Sequence, residues 1–154
     1  VARYRKVATQ IWNDAKFRVM SDDGKFVFLF ILTHPHMTGV GVMRGTVPGL
    51  AAEFGWKPKR FAEGFGEGYA KGMIEHDESA SFIGLPKWLN HNAPDNPNVV
   101  KSWGKFWGDI PECDLKVQLY QRVKRFLEPL GERYAKAFSS RCENPFGKQE
   151  QEQE

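Results

Sequence analysis

The sequence predicts an α+β fold, mainly helical: a winged helix-turn-helix with a C-terminal helical extension. Three observations predict it. Capped apolar segments and short strand-like runs follow one another as helix, strand, helix, helix and hairpin. A polar turn, ESAS, separates the last two strand-like runs in the manner of a β wing. Beyond a turn-rich stretch, apolar residues recur at helical spacing from Asp114 to about Ser140.

The opening RYRKVATQIW mixes basic and apolar residues and suits a short strand or an arm. Ser21-Asp22-Asp23 begins a helix, with Ser21 or Asp22 as N-cap and acids in the first turn. FVFLFIL is apolar throughout, so periodicity does not separate helix from strand. The acidic first turn and the length of the stretch favour a helix to near Thr33, ended by His34-Pro35. Gly39 to Gly45, GVGVMRG, suits a short strand. Thr46 caps the next helix, with Pro48 in its first turn, Leu50, Ala51 and Phe54 facing inward, and Gly55 as its left-handed stop.

Residues 58–73 pose a choice, because Gly64, Gly66 and Gly68 fit either a phosphate-cradling loop or a helix. Phe61, Phe65, Tyr69 and Met73 are spaced by four and predict one apolar face. Lys59, Arg60, Glu63, Glu67 and Lys71 fall mainly on the other faces, with Glu63 placed to pair with Lys59 at i+4. Each glycine weakens a helix by about 1 kcal/mol relative to alanine. Burial of four large side chains, at roughly 2 kcal/mol apiece, outweighs that. A P-loop is excluded because Lys71 precedes Gly72 rather than Ser or Thr. No hydrophobic strand leads into a GxGxxG turn either. The segment reads as a helix, the recognition helix of the scheme. Met73–Asp77 and Phe82–Pro86 follow as antiparallel strands.

The next stretch, from Lys87 to Leu115, reads as a turn-rich connector anchored by Trp88, Trp103, Phe106 and Trp107, with structural roles for Asn96 and Asn98. The C-terminal helix carries Leu115, Leu119, Val123, Phe126, Leu127, Leu130, Tyr134 and Phe138 at helical spacing and is expected to kink or split at Pro129 and Gly131. Its Lys116, Arg122, Lys124, Arg125, Arg133 and Lys136 predict a basic surface. The expected organisation is a winged-helix domain at 1–110, a helical extension at 111–146 and the start of a disordered linker at 147–154, where KQEQEQE is low in complexity. The chain opens on Val1 and ends in that tract, so a longer natural protein is expected.

Composition narrows the function classes. The longest apolar run, Phe26 to Leu32, is far short of a membrane span. Cys113 and Cys142 lack a CxxC or His partner and read as reduced thiols. Neither HExxH nor a zinc-spaced cluster occurs among His34, His36, His76 and His91, and no cofactor is expected. Asp22-Asp23 and Glu75-Asp77-Glu78 are explained by a helix start and a solvent-facing strand end, so no enzyme is indicated. Cations concentrate in residues 1–20 and again in 101–148, which points to an acidic partner.

The candidate contacts to double-stranded DNA are Lys57, Lys59, Arg60 and Lys71 on the recognition helix, where backbone N–H groups at its start also attract phosphate. Lys87, His91 and Asn92 beside the wing and Arg3, Arg5 and Lys6 on the arm extend the set. The wing tip Glu78-Ser79-Ala80-Ser81 carries no cation, which argues for a weak wing contact.

The stretches YRKVATQIWNDAKFRVMSDDGKFVFLFILTHPH, GVGVMRGTVPGLAAEFGW, GMIEHD and LNHNAPDNPNVVKSW, with ECDL, resemble the N-terminal domain of phage and prophage replication proteins. The resemblance runs from about Tyr4 to Cys142. It implies a winged helix that recognises origin DNA, joined by a flexible linker to a segment recruiting the host replicative helicase or its loader, in the cytoplasm of a bacterial host. Gly64, Gly66 and Gly68 depart from it by making the recognition helix more flexible than expected. The fold also serves as a transcriptional regulator, or as a protein–protein adaptor without DNA binding.

Overall fold

Side-chain caps start four of the nine α-helices among the described residues. Residues 4–145 are described by the computed structural model. The arm at residues 4–8 leads into a 3-10 turn at Thr9–Asn13, after which Asp14 Oδ1 accepts from the Phe17 N–H and starts α1, Ala15–Arg18. Ser21 is the N-cap of α2, Asp22–Leu32, its hydroxyl oxygen accepting from the Gly24 N–H at 3.0 Å. Strand β1 covers Val42–Arg44. Thr46 caps α3, Val47–Phe54, and Gly55 at φ +84° turns the chain out of it. Helix α4, Pro58–Ala70, leads into β2, Glu75–Asp77, and β3, Phe82–Gly84.

The strands form one antiparallel sheet in the order β1-β3-β2, with Met43 and His76 both opposite Ile83. The sheet is small and the fold mainly helical, so the α+β class holds.

The connector is more ordered than its turn residues predict. It winds into α5, Trp88–His91, α6, Pro97–Ser102, and α7, Gly104–Trp107. Burying Trp88, Trp103 and Trp107, each at most 3% exposed, pulls the backbone between them into short turns of helix. Asn96 has the structural role expected of it, capping α6 at the Val99 N–H. Helix α8, Asp114–Leu127, splits from α9, Glu132–Arg141, across a 3-10 turn at Glu128–Leu130 and Gly131 at φ +119°.

The helical face expected over 58–73 needs correction. The helix stops at Ala70, where Gly72 turns left-handed (φ +70°), and Met73 lies beyond it. Tyr69 is 56% exposed. A spacing of four advances about 40° per step on a helix of 3.6 residues per turn, so the row from Phe61 has rotated toward solvent by Tyr69. The face that packs is Phe61, Gly64, Phe65 and Gly68. Two of its glycines permit close contact. A Cβ on Gly64 would sit 2.8 Å from Val27 Cγ2 and 3.0 Å from the Asp23 carbonyl oxygen of α2. One on Gly68 would sit 2.6 Å from Ile74 Cδ1.

Polar groups fasten the same seam. The Ser21 N–H donates to Glu67 Oε1 at 2.8 Å, and the Ser21 hydroxyl donates to Oε2. Arg60 forks onto Asp23 at 2.8 and 3.0 Å. Glu67 and Arg60 are therefore tied to α2 rather than standing on a free face. His34, in the loop that follows α2, is nevertheless 4% exposed and ties that loop to α3: Nε2 meets Glu53 Oε2 at 2.6 Å while Nδ1 accepts from the His36 N–H.

The C-terminal helices share the core of the preceding elements. Trp107 meets Phe138 edge to face at 5.5 Å, and its indole N–H donates to the Glu143 carbonyl. The Tyr134 hydroxyl donates to the Asp95 carbonyl oxygen at 3.3 Å. Arg122 of α8 forks onto Glu75 of β2 at 3.1 and 3.2 Å, so Glu75 is an ion-pair partner rather than a solvent-facing strand end.

Candidate nucleic-acid interface

The start of α4 is made by Gly55, which turns the chain, and Pro58, whose fixed φ suits the first helical turn. That geometry presents Lys57, Lys59 and Arg60 together, all exposed. Among the described residues no hydrogen bond or ion pair engages the Lys57 or Lys59 side chain. The i+4 pair expected between Lys59 and Glu63 is not formed, as the ion pairs among the described residues lie elsewhere. Arg60 differs from its two neighbours. Its guanidinium lies 3.8 Å from the centre of the Trp56 ring while it forks onto Asp23. That bidentate bond holds the Asp23 carboxyl below its ordinary range and raises the guanidinium in turn. Both groups stand in solvent, so the pair acts as a clip whose strength salt reduces.

Lys71 is not part of this group. It caps the far end of α4, a helix of 13 residues that spans about 20 Å. There its carbonyl accepts from Lys16 Nζ at 3.2 Å, which joins it to a second collection of cations. Lys6, Lys16 and Lys87 stand with His91 and Asn92 around one cleft. Asn92, at the end of α5, is partly committed, since its side-chain amide donates to the carbonyl of Trp88 at the start of that helix. Arg5 is committed too: it donates to the Met37 carbonyl, and its guanidinium lies 4.9 Å from the Trp88 ring centre. Burial lowers its pKa. Arg3 lies outside the described residues.

The residues expected to touch DNA thus divide into an α4 group, a cleft group and two arginines that clip the fold. The wing joins neither group. In its turn Asp77 Oδ1 accepts from the Ala80 N–H and the Ser79 hydroxyl, which lowers the Asp77 pKa, and Ser81 adopts φ +57°. The basic surface expected on the C-terminal helices is also smaller than its residue count. Lys116 is 4% exposed, donating to the Ile110 carbonyl at 3.0 Å beside the Trp107 ring, and Arg122 is held by Glu75. Lys124, Arg125, Arg133 and Lys136 remain exposed.

No group of three or more metal-ligating side chains gathers among the described residues. Burial pushes the Cys142 thiol up to about 12, which keeps it protonated and a poor nucleophile. No helix among the described residues is long and apolar enough to cross a membrane.

Sequence reasoning missed the cleft altogether. Its walls come from the arm, the 3-10 turn, α1, α2, the turn after α4, the end of β3 and α5, and no local pattern announces that these segments meet. Comparison with protein-family models, with curated proteins and with solved structures found no match for the chain.

Proposed function

We propose that this chain is a winged-helix module that binds double-stranded DNA through the outer face of α4. The order α2, β1, α3, α4, β2, β3, with β1 paired to β3, supports the winged-helix reading. The observation that carries the DNA reading is the free side of α4. Lys59, Ala62 and Glu63 are exposed there, nothing lies within 4 Å of a Cβ built on Gly66, and Lys57 stands at the same helix start. A slim face with unpaired cations at one end suits a major groove, with the lysines on phosphates. The wing contributes little, because its tip has no cation. The resemblance to phage replication proteins extends the proposal to origin recognition, with host helicase or loader recruited by a segment elsewhere in the protein. A regulator of transcription would use the same face.

Selection from a random duplex pool, followed by salt titration of the selected site, tests this reading. Replacing Lys57 and Lys59 together by alanine is expected to reduce the slope of log affinity against log salt by about two, one per lost phosphate contact. Failure to enrich any duplex, or an unchanged slope in the double variant, overturns it.

A further inference from the structure

The cleft beside α5 has a volume of about 390 Å³, within the range of binding pockets. Its interior is apolar, formed by Ile11, Phe28, Leu32, Met73, Leu85 and Trp88, all buried or half-buried. Its mouth is cationic, with Lys6, Lys16 and Lys87 exposed and His91 alongside. Asp14 is the one acid among the described lining residues, and its carboxylate already accepts from the Phe17 N–H. Two clips hold the walls together: Arg5 ties the arm to Met37 and Trp88, and Lys16 ties α1 to the Lys71 carbonyl. A site held open in this way loses little freedom on binding.

We propose that this cleft docks a short acidic amphipathic segment of a partner protein. Bulky apolar side chains of the segment fill the floor, and flanking Asp or Glu side chains meet Lys6, Lys16 and Lys87. Charge complementarity selects this occupant. A duplex offers anions but no aliphatic group for the floor. The chain's own QEQEQE tract likewise has acids and no apolar residue. A neutral apolar ligand would leave three lysines at the cleft with only Asp14 to offset them. The site is separate from the outer face of α4 and goes beyond the DNA reading.

Selection from a displayed library of random peptides against the full chain tests the proposal. The expected winners combine Leu, Ile, Phe or Trp with Asp and Glu. Their binding falls by about tenfold or more in a Lys6→Glu/Lys87→Glu variant, where like charges oppose. Both lysines are exposed, so the variant keeps the wild-type circular dichroism spectrum. Binding persists in the Lys57→Ala/Lys59→Ala variant and is lost when the apolar residues of a winning peptide become serine. Three outcomes overturn the proposal: no enrichment, enrichment of neutral or basic peptides, or equal binding to the charge-reversed protein. Loss of duplex affinity in that protein as large as in the α4 variant also overturns it, because the cleft lysines would then belong to the DNA surface.

Discussion

The two faces of α4 use glycine for opposite reasons. On the inner face Gly64 and Gly68 stand where a methyl group would strike Val27, the Asp23 backbone or Ile74, so the absence of a side chain lets the helix lie tight against its neighbours. On the outer face Gly66 has nothing within 4 Å of its Cβ position, and its cost in helix propensity has no return in packing. The same residue type therefore strengthens the fold at one position and weakens it two residues later. Composition cannot distinguish these cases, because the difference lies in what the rest of the chain brings to each position.

That contrast is open to test. The largest effect is expected from Gly64→Ala, where the added carbon meets backbone that cannot swing aside. Overpacking of about 1–3 kcal/mol, partly offset by the helix preference of alanine, should leave a net loss measurable as a lower urea midpoint. A stabilised variant would break the close-packing account. Gly68→Ala should lose less, since it meets the flexible end of Ile74. Gly66→Ala should gain up to about 1 kcal/mol by the same measurement. It also sharpens the DNA reading: a more stable protein that binds its duplex less well would put Gly66 against the groove. Arg60→Lys keeps the charge but loses the fork onto Asp23 and the flat stack on Trp56. It should lower thermal stability modestly and leave duplex affinity close to wild type, whereas an affinity loss matching that of the Lys57/Lys59 variant would make Arg60 a contact rather than a clip.

The smallest effect is the pH dependence of the seam. The Ser21 hydroxyl, then the Ser21 N–H, hold the Glu67 carboxyl below its ordinary value. Near pH 4 the unfolded chain thus binds more protons than the folded one, and lowering the pH favours unfolding. The contribution is fully present above the unfolded value of about 4.3 and disappears as pH falls through the lowered folded value. Urea midpoints measured across that acid range should decline less steeply for Glu67→Gln. Equal slopes for the two proteins would remove Glu67 from the seam. His76 adds a higher window: burial depresses its pKa, so its contribution is present above about pH 6.5 and fades as pH falls through the folded value.

Several features were legible residue by residue. Ser21, one of the two caps expected for α2, and Thr46 cap their helices, Gly55 makes its turn, and the C-terminal helix breaks at Pro129 and Gly131. The paired strands flank the expected turn. The candidate site was less legible. Of its cations, Lys57 and Lys59 stand free together. Arg60 and Arg5 lie against tryptophans, Lys71 and Lys87 fall elsewhere, and Lys116 of the expected basic surface is inside. Arginine's planar fork suits stacking and bidentate pairing within the fold, so counting it with lysine overstated the free charge.

Caps, turn glycines and helix breaks were readable because their causes act within a few residues, through one side chain on a nearby backbone N–H or one permitted φ. The Arg60–Asp23 fork, the burial of Lys116, the contrast between Gly64 and Gly66 and the cleft beside α5 all join segments distant in sequence. Which residues meet across such gaps follows from how whole faces of helix and sheet pack, and close packing leaves room for only certain atoms at each contact.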